Sequence, residues 1–506
     1  MDLLFYLSIL LFVGIFSTLD INIDFDFWAR LVVGKSFFQT GTLFPFEFQS
    51  FGKTHEFIDH EWGSSLIFYL VQNNFGDIGL YIFKTLIIFL TIFTVAKIIK
   101  LQDKNAKLNF LFFFFVLQSI SYNIFSTIRC QTFSFLFFVI YLYILKKASL
   151  EKNFKILWTL PVLNIIWANL HGGFALGLIL ILLFALGEAL NKNEYKNYLK
   201  TFFLTCATTL INPYGIKYIY FIFGALSLNR VHITEWQSAF FDNNYIYTML
   251  KFKIFFFIVV AFFLFFIFKN IKKYGFKNYY LKIDKTKYLI LLFTLLISLK
   301  SLRMHVFFSY ALLAYCYIDF YQIFNKKLPK AIDLTKEIII FILLLISFIS
   351  HIFEYKFINK TYPSQYPIFC VEFIKENNIK GNIFTMFHTG SYVSYKLYPN
   401  NHIFMDGRYE EVYDNDLINQ MGKVFLAQDY EKFFKFYHCD ILILDKSYPI
   451  VEEIKKDKNW KLAFEDKYYA LFLTKEKYQT KFKQPTKNLN YYNKSKFETK
   501  INWDIK

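Results

Sequence analysis

Ile254-Phe-Phe-Phe-Ile-Val-Val-Ala-Phe-Phe-Leu-Phe-Phe-Ile-Phe268 contains no polar side chain, and 108–117 contains a single one, Asn109. Such runs exceed what a strand needs and belong to helices that are buried or inserted in a bilayer. The rest of the composition agrees. Of 506 residues, 55% are hydrophobic and 22% aromatic, and the mean hydropathy is +0.32. This places the chain in the polytopic membrane class. A formal charge of +18 would suit nucleic acid. The lysines, however, gather between the apolar runs, where membrane topology accounts for them, and nucleic acid is excluded as a partner.

Apolar runs predict helices near 3–19, 79–99, 108–127, 130–146, 155–169, 172–190, 199–211, 251–269, 287–301, 304–322 and 337–353. That is about eleven transmembrane helices. The first has no basic leader and no small-residue cleavage site, so it reads as retained. Alternate loops carry lysine: Lys97 to Lys107, Lys146 to Lys155, Lys192 to Lys200, seven between Lys269 and Lys287, and Lys326 to Lys336. The positive-inside rule makes these loops and the N-terminus cytoplasmic. The complementary loops then face outward, and all nine histidines fall on or near that side.

The expected organisation is a transmembrane domain over 1–354, with a first outer loop at 20–78, a small extracytoplasmic α/β domain over 355–475, and a Lys- and Asn-rich tail over 476–506 that reads as poorly ordered. In the loop, Trp28–Gly34 and Trp62–Leu70 have the spacing of short amphipathic helices lying in the interface, with tryptophans at headgroup depth. In the α/β domain, helices are predicted at 367–377, 390–398 and 431–437, and strands at 382–387, 402–406, 440–445 and in a pair near 460–473. Cys370 and Cys439 leave two readings open, a disulfide or two packed thiols.

Three constellations carry chemistry. The first is Asp24-Phe-Asp-Phe-Trp28 with His60-Glu-Trp62 in the outer loop. Asp24 and Asp26 can share a divalent cation, Mg or Mn, or divide base and ligand work, and His60 and Glu61 complete an oxygen/nitrogen set. The plainer reading is solvation and capping of the following helix. The second group sits at helix borders on the same side: Arg129, Asn169, His171, Asn212, Tyr214, Glu235, Trp236, Arg303 and His305. Its cations suit lipid phosphates, whereas Gly172-Gly173 and Asn212-Pro-Tyr-Gly215 are first of all turn chemistry. The third is Phe404-Met-Asp-Gly-Arg-Tyr409, where Asp406 and Arg408 form either a local ion pair or a sugar-contacting site.

Taken together, Asp24-x-Asp-x-Trp28, His60-Glu-Trp62, Arg129-x-Gln131, Trp167-Ala-Asn-Leu-His-Gly-Gly-Phe174, Asn212-Pro-Tyr-Gly215, Glu235-Trp236 and Asp406-Gly-Arg408 resemble a bacterial family of multi-spanning proteins grouped with the GT-C glycosyltransferases, which use polyprenyl-phosphate-linked sugars. The resemblance runs over most of 1–475. It departs at Cys130, where proline is expected, and at Ala29-Arg30, where Trp-His is usual. It implies that Asp24 or Asp26 is the base or metal ligand, and that Arg129, His171, Arg303 and His305 hold the donor phosphate. It also implies that Asn169, Asn212, Tyr214, Glu235, Trp236, Asp406 and Arg408 contact substrate. Arg30 places a cation beside Asp26 that either replaces a metal or depresses that carboxylate's basicity, which favours Asp24.

The expected function is therefore sugar transfer from a polyprenyl-phosphate donor to an envelope glycan, lipid or protein at the outer face of a bacterial inner membrane. The alternative is a non-catalytic membrane component of envelope polysaccharide assembly whose soluble domain binds glycan or protein. A transporter is weaker, since the sequence shows no clear ionisable residue in the middle of a span.

Overall fold

A computed structural model describes the chain except residues 1, 20–24, 44–49, 53–56, 126–127, 228–235, 237, 239–245, 325–329, 355–361, 409–411, 480 and 486–506. It is mostly helical with one small mixed sheet. It divides into two compact units, Met1–Asn22 with Val71–Asn359, and Ile23–Leu70 with Lys360–Lys506. Residues 23–70, expected to belong with the transmembrane domain, thus fold with the C-terminal α/β part.

The first unit is helical. Its elements are α1 (Asp2–Leu19), the larger part of α3 (Trp62–Gln102), α4 (Phe110–Gln118), α5 (Ser121–Phe125), α6 (Gln131–Glu151), α7 (Thr159–Leu170), α8 (Phe174–Leu190), α9 (Lys196–Thr208), α10 (Ile216–Ser227), α11 (Ile246–Tyr274), α12 (Phe276–Lys282), α13 (Lys285–Lys300), α14 (His305–Phe324) and α15 (Lys330–Glu354). α3 is two helices joined at Gly76, whose φ of 60° only glycine adopts readily. The run near 108–127 is broken into α4 and α5 at Ser119 and Ile120, and the run near 155–169 begins as a 3-10 turn.

Two of these helices, Trp62–Gln102 and Gln131–Glu151, are long and apolar enough to cross a membrane, and three more among the described residues are apolar but shorter. The outward faces remain apolar. Ile78, Ile82, Leu86 and Leu90 on α3, Leu182, Leu186 and Leu190 on α8, and Ile338, Ile342 and Ile346 on α15 form exposed stripes at four-residue spacing. Polar groups at helix ends are paired instead: Lys146 with Asp284 at 2.8 Å, Lys287 with Asp319 at 2.6 Å, and buried Glu188 accepting from Ser149, Thr286 and Asn193. Lys84 corrects the sequence reading. It lies inside α3, only 4% exposed, and its ammonium donates to the Phe125 carbonyl at 2.5 Å.

The second unit holds α2 (Phe25–Thr40), the first turns of α3, α16 (Ile368–Glu376), β1 (Asn382–Phe384), α17 (Phe387–Leu397), β2 (His402–Ile403), α18 (Asn415–Phe425), α19 (Tyr430–Phe436), β3 (Ile441–Asp445), α20 (Ile450–Lys456), β4 (Trp460–Glu465) and β5 (Tyr469–Thr474). The sheet order is β2-β1-β3-β5-β4, with β2, β1 and β3 parallel and a terminal β4–β5 hairpin antiparallel to β3. The expected strands are present, β1 and β2 shorter than read, α17 begins at Phe387 inside the expected first strand, and α18 and α20 were not anticipated. The start of the tail packs as well: the Lys483 N–H donates to Asn377 Oδ1 at 2.8 Å, and Phe482 meets Phe373. The remainder from 486 lies outside the described residues. All five cysteines are free thiols, Cys370 and Cys439 being buried separately.

α2 is not an interfacial helix. Phe27 to Gly34 and Ser36 are buried around its whole girth, and Trp28 is only 4% exposed. Its partner is α17, which presents Tyr392 and Tyr395 to Trp28 at 5.1 and 5.4 Å. Tertiary cover, rather than a lipid surface, takes up its apolar faces.

Candidate functional site

The polar residues of the first loop are fixed by the α/β unit. Lys35 on α2 donates to the carbonyls of Tyr395 and Tyr398, both at 3.0 Å, at the C-terminal end of α17 where the helix dipole favours a cation. Burial, helped by Lys375, lowers the Lys35 pKa from its ordinary value. α17 lies hard against the segment after β2. A Cβ on Gly390 would fall 2.0 Å from the Met405 carbonyl oxygen, so only glycine permits this approach. On the open edge of β2, the loop supplies a short extra strand. Ser50 bridges Ile403, and the N–H groups of Phe51 and Gly52 donate to the Ile403 and Phe404 carbonyls at 3.0 Å. Covering the edge in this way removes its unpaired backbone groups.

The Asp406-Gly407-Arg408 turn follows β2 and is closed on itself. Arg408 Nε donates to both Asp406 oxygens at 2.8 and 3.0 Å, and the Arg408 N–H to Oδ1 at 3.2 Å. The Tyr413 hydroxyl lies 3.0 Å from the same oxygen and 2.8 Å from Ser50 Oγ, and Phe57 lies under the guanidinium at 5.0 Å. Burial pulls the Arg408 pKa down, but Asp406 and Tyr413 more than offset it and hold it above its usual value. Burial and the Asp406 charge raise Tyr413. Asp406 and Arg408, at 3% and 7% exposure, are thus the local ion pair and not open substrate contacts.

A second arginine organises the loop. Arg30 Nη1 donates to Asp59 Oδ1 at 2.5 Å and lies 3.6 Å from Glu61, which in turn lies 3.7 Å from His60 Nε2. Asp59 Oδ1 also accepts from the Glu61 N–H, but Oδ2 is buried without a partner. Arg30 is thus held by Asp59 and Glu61. Asp24 itself lies outside the described residues. Asp26 is exposed in the first turn of α2. A methyl group on Gly407 would lie 3.4 Å from its carboxylate and 3.7 Å from Ser391 Oγ, the atom to which the Gly407 N–H donates. The structure therefore joins Asp26 to the Asp-Gly-Arg turn within one unit. Among the described residues no three His, Cys, Asp or Glu side chains are placed to hold a metal ion. Of the expected Mg or Mn set, Asp24 lies outside the described residues, and Glu61 lies 3.6 Å from Arg30, whose charge would oppose a divalent cation there.

The remaining candidates belong to the helical unit. His171 ends α7, and its Nδ1 accepts from the Gly173 N–H at 2.9 Å and lies 2.7 Å from Ser134 Oγ, so any proton on the ring sits on Nε2. Asn169 donates to the Ile165 and Ile211 carbonyls, and Asn212 accepts from the Tyr214 N–H in the tight turn before Gly215. Asn212 holds a turn, as the plainer reading had it. Arg129 is half-buried. Arg303 lies over the Trp236 ring at 5.2 Å, whereas His305 is buried and stacked on Phe256 at 3.7 Å, packed as a ring rather than presented as a cation. Glu235 lies outside the described residues. No protein-family model and no curated protein matches this chain.

Sequence reading missed Asp59, Tyr413 and Ser50. Asp59 directly precedes His60-Glu61, and its Asx turn with Glu61 was a readable signal. Ser50 and Tyr413 carry none, because 363 positions separate them.

Proposed function

We propose that this chain is a polytopic membrane glycosyltransferase that moves a sugar from a polyprenyl-phosphate-linked donor to an envelope acceptor, outside the bacterial inner membrane. The single observation that carries the reading is the exposed Asp26 carboxylate, standing beside Gly407 in the first turn of a buried helix. The apolar stripes on α3, α8 and α15 support bilayer insertion beyond the two longest helices, and the alternating lysine loops support the orientation.

In this reading the acceptor oxygen attacks the anomeric carbon, the bond from that carbon to the donor phosphate breaks with inversion, and Asp26 takes the acceptor's proton. Polyprenyl phosphate leaves as the anion. The test is transfer of labelled sugar from polyprenyl-phosphate donors by the full chain in proteoliposomes. Asp26→Asn is expected to lower the rate by about two to four orders of magnitude. Wild-type rates in both Asp26→Asn and Asp24→Asn would remove the carboxylate role and leave the non-catalytic assembly component.

A further inference from the structure

α6, one of the two helices long and apolar enough to cross a membrane, turns back through a 3-10 segment (Phe154–Trp158) into α7. Between the two runs lies an open groove of about 500 Å³, lined by Ile144, Ile156, Trp158, Thr159, Val162 and Leu163. Thr159 donates its hydroxyl to the Ile156 carbonyl at 2.7 Å. Apart from the Trp158 indole, the lining therefore offers hydrocarbon contact alone. Trp158 and Val162 are each 59% exposed, and Ile166, four positions further along α7, continues their apolar stripe away from the turn.

The end of the groove at the connecting turn is cationic. Lys147 follows Ile144 by three positions on the same face of α6, and Lys155 stands over Trp158, because side chains three apart eclipse in a 3-10 helix. Lys155 is exposed, as is Lys152 in the turn itself. Lys146 is held by Asp284 at 2.8 Å, whereas among the described residues neither Lys147 nor Lys155 is in an ion pair, and Lys147 lies over the Tyr143 ring at 5.8 Å. Glu151 is the single acidic residue between Lys146 and Lys155, so the turn keeps a net positive charge.

We propose that this groove binds one anionic phospholipid, its acyl chain along Ile144, Val162 and Leu163 and its phosphate between Lys147 and Lys155. Trp158 then lies at headgroup depth, where an indole is favoured. A zwitterionic lipid offers the same chain, but its choline cation meets the same lysines, so charge selects the anionic headgroup. A free phosphate would leave the apolar lining in water. Under the orientation proposed above, the lipid belongs to the cytoplasmic leaflet, where anionic lipids gather. The inference rests on the bilayer insertion in the proposed function and is independent of sugar transfer.

Native mass spectrometry of the full chain in detergent tests it, with dioleoyl phosphatidylglycerol and dioleoyl phosphatidylcholine as probes. The first phosphatidylglycerol adduct is expected at about tenfold lower lipid concentration than the first phosphatidylcholine adduct. Lys147→Ala combined with Lys155→Ala should bring the two lipids to equality. Val162→Trp, which fills the groove from an exposed position, should weaken phosphatidylglycerol about tenfold. Lys277→Ala, on exposed α12, is the control and keeps the preference. The proposal is overturned by equal affinity for the two lipids in the wild type, by a preference that survives loss of both lysines, by binding untouched in Val162→Trp, or by a dimer of the chain that takes up no lipid. Flotation with phosphatidylglycerol vesicles separates the two readings. A chain that floats without the preference loses only this site, and one that does not float loses the membrane reading and this site with it.

Discussion

The α/β unit contains two buried arginine pairs that solve the same electrostatic problem differently. Arg408 and Asp406 are two residues apart, with several hydrogen bonds to the carboxylate and Tyr413 close at hand. Arg30 and Asp59 come from segments 29 residues apart, leave Asp59 Oδ2 without a partner, and adjoin half-buried Glu61 and His60. A buried charge is tolerable only when its partners are nearly complete. The saturated pair behaves as architecture. The Arg30–Asp59 pair keeps a second carboxylate and an imidazole within reach of its charge.

The comparison breaks most visibly at the saturated pair. Asp406→Ala leaves Arg408 buried and alone, at a cost of about 3–5 kcal/mol, and the melting midpoint of this unit should fall by roughly 10 °C in a thermal scan of the detergent-solubilised chain. Asp59→Ala should cost less, about 2 kcal/mol, because Glu61 remains near Arg30 and the orphaned oxygen disappears with the side chain. Equal losses in the two variants would erase the distinction. Tyr413→Phe keeps the ring but removes the hydroxyl shared by Ser50 and Asp406, and should cost about 1–2 kcal/mol in denaturant unfolding.

The smallest effect concerns pH. His388 has a folded pKa below its unfolded value, so the folded state favours the neutral ring. Its contribution is complete above the unfolded pKa of about 6.5 and declines as pH falls below that value towards the folded pKa. His388→Gln should therefore flatten the acid side of the midpoint-versus-pH curve without altering it above neutrality. An unchanged acid slope would assign that dependence to other groups.

Much of the local structure was legible. The helices of 367–377 and 431–437, the strand at 440–445 and the closing hairpin follow from periodicity and turn residues that act within a few positions. The Asp406–Arg408 pair was legible too, since an Asp-Gly turn brings its neighbours together. The surroundings of Trp28 were not. Its spacing suited an interfacial helix, and nothing near it in sequence names Tyr392 or Tyr395 as its cover. The same holds for Lys35 and the carbonyl of Tyr395, 360 positions away.

By itself the sequence determined the apolar helices, the lysine loops, much of the secondary structure of the C-terminal part, and the concentration of ionisable groups around Asp24–Trp28 and His60–Trp62, because each depends on composition and short-range periodicity. Only the tertiary structure decided that 23–70 folds with 360–506, that Arg30 is held by Asp59 and Glu61, and that Asp26 stands beside Gly407. Those are long-range pairings, set by which surfaces fit and which buried charges find partners, and neither requirement leaves a signal within one stretch of chain.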